Sequence, residues 1–433
     1  MYFIPFIYFS SLTAYLWIKN RCFSVVVYMS LLYAITSFCS IIMVLGNMLE
    51  GSGVLVNGWE PELGFIPTVL YCFLLTLTIV PFNYIKVDKI KNVYNIHPLI
   101  IFGFCLILLV QALLNFYLIA DSTMDILNGD LNEVREAHYN EEMSLADVKA
   151  MSLPGVLQYF NYLNYTTILA LPLFFYFSCV EKKSLWLTSI LLFISLSGPL
   201  KAIQAVDRAE LILYAEMFVF CLVFFQKVLT KVVKRLLLMI GVPFALVGCV
   251  YLIAVSAARF DDTDEGTSGS VLQYAGQSYL NFCYFYDNSD PSLIYPEREI
   301  PIISHVVLGS DYGQVKEERS AKEGFFIGVF ATHVGAWMLD IGVVGAIVWS
   351  VLYALLCVVI IRYIDRSEYE ITEVMMLFIL ATIPIFGIFY YRFHSFQIAL
   401  QYLIVGLLYL LSKVKFVWGK ESKVKFVWRK KKN

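Results

Sequence analysis

Charged residues are scarce in this chain of 433 residues. They make up 15% of it, whereas soluble domains carry about 25%. Hydrophobic residues make up 59%, and aromatic residues alone make up 16%. Apolar runs of roughly 20 residues recur along the whole length, which is typical of a polytopic α-helical membrane protein. The runs are continuous and do not alternate with polar residues, which argues against strands.

The signatures of several enzyme classes are also missing. The sequence has no P-loop, no H-E-x-x-H, no Rossmann glycine pattern and no G-x-S-x-G. The five histidines show no metal-ligand spacing, and DDTDEG at 261–266 lacks the third ligand of a calcium loop. We interpret DDTDEG as a solvated acidic turn, and we expect neither a metal nor a cofactor.

Cysteine provides no disulfide framework. Eight of the nine cysteines lie in apolar runs, and Cys283 is alone in its connection, so we expect the thiols to act as small hydrophobes. No positively charged segment or small-residue cleavage site accompanies the first apolar run, so no removable signal peptide is expected.

The apolar runs predict about eleven membrane spans. They cover residues 2–18, 22–45, 64–82, 98–120, 156–180, 184–199, 209–226, 236–257, 335–361, 372–389 and 395–412.

Lysine and arginine concentrate in every second connection between these spans. These alternate connections, with the tail after Ser412, hold 22 of the 32 basic residues. Because basic connections stay in the cytoplasm, the pattern predicts an outer N-terminus and a cytoplasmic C-terminus. The stretch GPLKAIQAVDRAE at 198–210 then lies on the outer side, where the positive-inside rule does not explain its charges.

The predicted membrane domain covers residues 1–412 and includes two long outer connections, 121–155 and 258–334. In the first, Ser144 and Asp147 are spaced like a capping box and predict a short helix over 145–152. In the second, residues 271–286 carry apolar side chains at helical spacing. That helix would lie in the membrane interface or pack onto the bundle. The cytoplasmic tail, 413–433, is basic, and SKVKFVW occurs twice, at 412–418 and 422–428; it suits anionic lipid headgroups.

Cationic side chains on the outer side are the candidates for ligand binding. A guanidinium at the mouth of a membrane bundle is costly to desolvate, and its fork of donors fits phosphate in bidentate fashion. A membrane-anchored phosphate or pyrophosphate is therefore a natural partner, and the alternatives are snorkelling to lipid phosphates or pairing with Asp207, Glu210 or Asp261. The outer cations near spans or in the long loop are Lys201, Arg208, Arg259, Arg298, Lys316, Arg319, Lys322 and Arg392. The candidates for binding among them are Lys201, Arg208, Arg259, Arg319 and Arg392.

Two stretches resemble the O-antigen polymerases, the Wzy-type oligosaccharide repeat unit polymerases. In LLFISLSGPLKAIQAVDRAELILYAEMFVF, a small turn at Ser197 and Gly198 is followed by Arg208 and Ala209 as the next helix begins. In ATHVGAWMLDIGVVGAIVWSVLYALL, a D-x-G-x-x-G pattern starts the span after the large outer connection. Its glycines allow close helix approach. The number of spans and the large outer connection also match.

The resemblance implies a GT-C-like helical membrane fold and a metal-independent glycosyltransferase of lipopolysaccharide or capsular polysaccharide biosynthesis. Its members are thought to transfer a growing glycan from undecaprenyl pyrophosphate to another carrier-linked repeat unit, at the outer face of the bacterial inner membrane. The expected partners are this carrier-linked oligosaccharide, membrane lipids and a chain-length regulator protein, with no nucleic acid.

In such a reaction, negative charge builds on the leaving pyrophosphate, where arginines contribute most. Arg208 and Arg259 are the expected clamps, and Arg319, Lys201 and Arg392 are further candidates. The attacking hydroxyl must lose a proton. The candidate bases are His333, Glu210 and Asp340, and their types alone do not decide among them; His333 and Asp340 would also serve as structural residues.

Three other functions remain open at this point. An O-antigen ligase shares the spans and the leaving group but transfers glycan to lipid A core. A lipid-linked oligosaccharide flippase or other transporter typically shows paired repeats around a midplane site, and the two halves of this chain show no similarity. An outer-face acyltransferase would need a His/Asp pair buried in the bundle.

Overall fold

A computed structural model shows a helical protein whose apolar helices are long enough to cross a membrane. It describes residues 1–46, 63–95, 97–120, 153–161, 163–180, 185–204, 209–235, 266–309, 312–363, 367–418 and 424–428, with the isolated positions 237, 239, 241 and 248. Within this part of the chain, five candidate spans cover Val25–Leu45, Phe65–Lys89, Pro98–Ile119, Thr332–Arg362 and Phe396–Lys413. The chain is therefore a helical, multi-pass membrane protein, and spans beyond these five stay a prediction.

The described residues form fourteen α-helices and four short strands. The helices are α1 Phe3–Asn20, α2 Val25–Leu45, α3 Phe65–Ile79, α4 Pro98–Ile119, α5 Gly155–Asn161, α6 Ala170–Cys179, α7 Leu185–Gln204, α8 Ala209–Phe225, α9 Gly266–Asn288, α10 Pro301–Ile303, α11 Tyr312–Glu323, α12 Thr332–Tyr363, α13 Ile371–Phe386 and α14 Phe396–Lys413. The strands are β1 Asn92–Tyr94, β2 Glu368–Glu370, β3 Val414–Trp418 and β4 Val424–Trp428.

Helices occupy the predicted spans, apart from 236–257, which falls almost entirely outside the described residues. Apolar runs become helices because a helix satisfies its backbone groups within the segment. The turn expected at Ser197 and Gly198 is wrong, since α7 continues through both residues to Gln204. Ala209 does begin the next helix, as expected. The helix predicted over 145–152 lies outside the described residues.

Helix α12 contains a break that divides it into residues 332–341 and 343–363. At Gly342 the backbone has φ 71° and ψ 172°, a conformation that glycine adopts without steric cost. The sequence pattern D-x-G-x-x-G was expected to begin a span, but the helix begins eight residues before Asp340 and is interrupted just after it.

Helix α9 contains the predicted helix of 271–286 and packs onto the bundle. It contacts α2, α3 and α12, and its side chains from Gln277 to Phe285 are buried. Tyr279 hydrogen-bonds Thr68 of α3 at 2.7 Å. Cys283 is buried in this helix, as a small hydrophobe would be.

Contacts between connections define two ends of the bundle. At the first, the basic end, the connections rich in lysine and arginine meet one another: Asn20 bonds Asn83 (3.0 Å), Gln226 bonds the Phe23 carbonyl (2.8 Å), Arg362 bonds the Tyr84 hydroxyl (3.0 Å), and β1 pairs in parallel with β2. At the opposite end, the loop end, the described residues of 266–309 and 312–331 fold against residues 387–392: the Ser278 hydroxyl bonds the Phe389 carbonyl and the Phe330 ring stacks on that of Tyr390. Arg392 in turn pairs with Glu210 at the start of α8.

The duplicated tail segment folds on itself. Strands β3 and β4, which are the two copies of VKFVW, pair antiparallel with Phe416 opposite Phe426. The hairpin directly follows α14 at the basic end, where Lys413 forms ion pairs with Glu370 and Glu373.

Candidate functional site

Asp340 lies at the break in α12, and its backbone there bonds to the large loop instead of to its own helix. A regular helix would direct an N–H from the following turn to the Asp340 carbonyl. The Tyr295 N–H donates to this carbonyl at 2.8 Å, and the neighbouring Leu339 carbonyl accepts a hydrogen bond from Arg319. The break therefore supplies acceptors that position the loop.

Two arginines of the loop converge on the Asp340 carboxylate. Arg319 Nη1 lies 2.6 Å from Oδ1, and Arg298 Nε lies 3.1 Å from Oδ2. All three side chains are buried. The Arg319 guanidinium also lies 4.9 Å from the centre of the Tyr295 ring and 3.5 Å from Glu323. We call Arg298, Glu299, Arg319, Glu323 and Asp340 the Asp340 cluster.

Burial disfavours the charged form of Arg319. It lowers the pKa of the guanidinium, and the nearby Asp340 and Glu323 carboxylates oppose that shift. Pairs of this kind offset a large desolvation cost, so removing one partner leaves an uncompensated buried charge. The Nε of Arg319 is buried and has no hydrogen-bond partner among the described residues, so the guanidinium keeps one N–H for a further acceptor.

Glu299 differs from Asp340 although the two are neighbours. Its carboxyl group is buried beside that of Asp340. Burial, followed by the negative charge of Asp340, raises the pKa of Glu299 well above its usual range, and Arg298 opposes this shift. Two adjacent carboxyl groups in different electrostatic surroundings are the arrangement that acid–base catalysis uses.

A second ion pair, between Arg392 and Glu210, lies beside the cluster at the loop end. The Arg392 guanidinium is 5.3 Å from the Tyr165 ring centre and 5.5 Å from that of Phe386. The preceding residue, Tyr391, faces the cluster: burial and the carboxylates of Glu299 and Asp340 raise its pKa. Arg392 thus pairs with Glu210, while the adjacent Tyr391 lies within the electrostatic influence of the Asp340 cluster.

His333 is fully buried, and both of its ring nitrogens are engaged. Nδ1 lies 3.2 Å from the Gly387 carbonyl and Nε2 lies 3.2 Å from the Thr78 hydroxyl. Its backbone N–H also donates to the Gly387 carbonyl, at 2.9 Å. These contacts tie the start of α12 to α3 and to the end of α13, which is a structural arrangement.

The structure shows little about the other cations that were expected to bind phosphate. Lys201 is half-buried in the last turn of α7. Arg208 and Arg259, the expected clamps, lie outside the described residues, as do Asp207 and Asp261. The structure therefore brings Arg319 together with Asp340, and Arg392 together with Glu210. For Arg392, pairing with Glu210 was one of the alternatives to phosphate binding.

Sequence reasoning passed over Glu299 at the site and Glu216 elsewhere in the bundle, and it counted Arg298 among the outer cations without selecting it as a site residue. Arg298 and Glu299 stand between two prolines in PEREIP at 296–301, a spacing that predicts irregular backbone but not burial. Glu216 is buried in the middle of α8, and its Oε2 has no hydrogen-bond partner among the described residues. The signal for Glu216 was available, because a single acid within an apolar run is a functional candidate by default.

No group of three or more His, Cys, Asp or Glu side chains in the described part of the chain is placed to hold a metal ion. What the arrangement offers is buried guanidinium groups, one further N–H donor and a carboxyl group with a raised pKa. Comparison with protein-family models, with curated proteins and with solved structures finds no match to the chain.

Proposed function

We propose that the protein polymerises oligosaccharide repeat units linked to undecaprenyl pyrophosphate, by transferring the growing glycan from one carrier to the repeat unit on another. The loop end would face the outside of the bacterial inner membrane and the basic end the cytoplasm. This orientation rests on the positive-inside rule, and the reaction rests on the resemblance of two stretches to Wzy-type polymerases.

The proposal is supported by the position of the buried arginines. The three arginines that are buried in the described part of the chain, Arg298, Arg319 and Arg392, all lie at the loop end. At the basic end, Arg21, Arg235 and Arg362 are exposed, as expected for residues that set orientation. Buried arginine in a membrane protein is costly and marks a site for an anionic group.

The proposed step uses these groups in distinct roles. The acceptor hydroxyl oxygen forms a bond to the anomeric carbon, and the bond from that carbon to the pyrophosphate oxygen breaks with its electron pair. Arg319 and Arg298 stabilise the charge on the leaving diphosphate, together with Arg208 and Arg259 as predicted from the sequence. Asp340 orients the two guanidinium groups of the loop.

The proton of the acceptor hydroxyl passes to the ionised form of Glu299 in this proposal, so the step requires that Glu299 has first released its own proton. His333 is held by hydrogen bonds, and Glu210 and Asp340 are paired with arginines, whereas Glu299 lies beside another carboxyl group, that of Asp340. A carboxylate with a raised pKa is also a stronger base, which favours proton transfer near neutral pH.

The test deletes the gene in its host, restores it as variants and separates the surface polysaccharide on a gel. We expect Arg319→Lys and Glu299→Gln to lose polymer by about 100-fold or more, because lysine lacks the guanidinium fork and glutamine takes up no proton. The matched control is Arg362→Lys, an exposed arginine at the basic end, which should keep the full ladder. Each variant must reach the membrane at the wild-type level.

The deletion itself separates the alternatives. Lipid A core that carries a single repeat unit supports the polymerase. Bare core with polymer left on the carrier indicates a ligase, and repeat units trapped on the inner face indicate a transporter. Either of these two results overturns the proposal.

A further inference from the structure

A short segment of the large loop exposes aliphatic side chains. In residues 300–308, which we call the apolar turn, Ile303, Val306 and Val307 are exposed by 53%, 68% and 71%. Isolated exposed aliphatics are common on protein surfaces, but three in five residues form a local patch. Other parts of the same loop are polar: α11 reads YGQVKEERSAKE and exposes Glu317, Glu318 and Lys322. Ile294 and Phe326 of the same loop are also exposed, by 59% and 49%, but each stands alone, so among the described residues of the loop the turn is where exposed apolar side chains cluster.

The backbone of the apolar turn bonds internally. The Ser304 hydroxyl donates to the Glu297 carbonyl at 2.8 Å and lies 3.1 Å from the Ile300 carbonyl. Gly309 ends the turn in the left-handed conformation, with φ 63°, and its N–H donates to the Ser304 carbonyl. Pro301 needs no partner for its nitrogen. Internal bonding of this kind is what a segment needs before it enters an apolar medium.

The apolar turn is continuous with an exposed stripe on α14, a candidate membrane span. The ring of His305 lies 4.8 Å from the ring of Phe396, the first residue of α14. Leu403, Leu407 and Leu411 follow Phe396 on the same helical face and are each exposed by 40% or more. Because a membrane-spanning helix turns such a stripe toward lipid, the turn stands where the lipid-facing surface of α14 begins.

We propose that the apolar turn inserts into the bilayer at the loop end, with Ile303, Val306 and Val307 at the boundary between headgroups and hydrocarbon. Interfacial segments bind membranes through this kind of apolar contact. The inference does not depend on the proposed function. It has a consequence for the site: Arg298 and Glu299 directly precede the turn, so membrane insertion holds the Asp340 cluster at the depth of lipid headgroups.

The test places an environment-sensitive fluorophore on single introduced cysteines. Val307→Cys is compared with Glu318→Cys, an exposed position of α11 in the same loop, in full-length protein reconstituted in vesicles of phosphatidylcholine and phosphatidylglycerol. Labelling of the unsubstituted protein corrects for the native cysteines. We expect lipids that carry a quencher just below the headgroup to quench Val307→Cys about twofold or more over Glu318→Cys. Water-soluble iodide should show the reverse order.

Three outcomes overturn the proposal. Equal quenching at both positions by iodide, with none by lipid, places the turn in water. Protection from both quenchers, together with cross-linking of Val307→Cys between two molecules, makes the turn an interface between copies. Protection that appears only after undecaprenyl phosphate is added identifies the carrier chain as the occupant. Val306→Cys provides a second labelling site, so the proposal is still tested if Val307→Cys fails to fold.

Discussion

At the scale of single residues, Glu299 and Asp340 show how different the surroundings of two neighbouring carboxyl groups can be. Both are buried, but Asp340 faces two guanidinium groups, at 2.6 Å and 3.1 Å, which offset part of the cost of burying its carboxyl group. Glu299 has the charge of Asp340 beside it, opposed by Arg298 alone. The two neighbouring carboxyl groups therefore differ in the charges that surround them.

The raised pKa of Glu299 predicts how stability depends on pH. A glutamate in the unfolded chain has a pKa of about 4.3, whereas Glu299 in the folded chain keeps its proton to higher pH. The stabilisation is complete below the unfolded pKa and is lost as pH rises through the folded pKa. We expect Glu299→Gln, which cannot ionise, to gain about 1.4 kcal/mol over wild type for each unit by which folding raises this pKa.

Unfolding in detergent micelles from about pH 4 to about pH 8 measures this difference. Glu318→Gln is the control, since it removes a negative charge from an exposed position of the same loop. A difference between Glu299→Gln and wild type that stays constant with pH would mean that Glu299 is ionised in the folded protein.

Sequence pattern identified individual charges of the site more readily than their partners. Arg319, Asp340, Arg392 and Glu210 were all candidates, because a charge near a membrane span stands out against apolar residues. That Arg319 pairs with Asp340 depends on a loop that folds back over 21 residues, and residue types carry no such information. His333 was a candidate base for the same reason, and its two ring contacts come from α3 and from residue 387, which are distant in sequence.

At the scale of elements, hydrophobic length predicted the helices and missed the interruptions. The predicted span 98–120 agrees closely with Pro98–Ile119, and 209–226 agrees with Ala209–Phe225. The span 156–180 is in fact α5, a 3₁₀ turn over Asn164–Leu169 and α6. Continuous apolar sequence does not record such breaks, because the neighbouring helices satisfy the interrupted backbone.

The close packing of α9 against α2 requires glycine at position 276, because there is no room there for a Cβ atom. A Cβ at this position would lie 2.7 Å from the Cys39 carbonyl carbon and 2.8 Å from the Ser40 nitrogen, and backbone atoms cannot move aside cheaply. Gly276 also accepts a hydrogen bond from Ser40. We expect Gly276→Ala to lower the free energy of unfolding by about 1–3 kcal/mol.

The matched control is Gly103→Ala in α4, where a Cβ meets nothing within 4 Å. That substitution should stabilise the helix by up to about 1 kcal/mol, because alanine is the better helix former. Thermal unfolding of both variants in detergent measures the two effects. An unchanged Gly276→Ala would show that α9 does not approach α2 this closely.

At the scale of the whole molecule, the two ends of the bundle differ in whether their arginines are exposed or buried. The basic end leaves its arginines exposed, whereas the loop end buries arginine against carboxylates. Alternation of basic connections in the sequence predicted which connections share an end, and the contacts of Asn20 with Asn83 and of β1 with β2 join connections of the basic set. Contacts within the molecule do not fix which end faces which compartment.

Sidedness follows from the free energy of moving basic connections across the membrane, and it can be tested directly. Lys89 and Glu318 are exposed at the basic end and the loop end, respectively. We expect a membrane-impermeant maleimide to label Glu318→Cys in intact cells, and Lys89→Cys only after the membrane is opened, because positively charged connections remain in the cytoplasm. Labelling in the reverse order would place the Asp340 cluster in the cytoplasm, where nucleotide-activated sugars would replace lipid-linked ones as candidate donors. Labelling of both positions from one side would contradict the two-ended bundle itself.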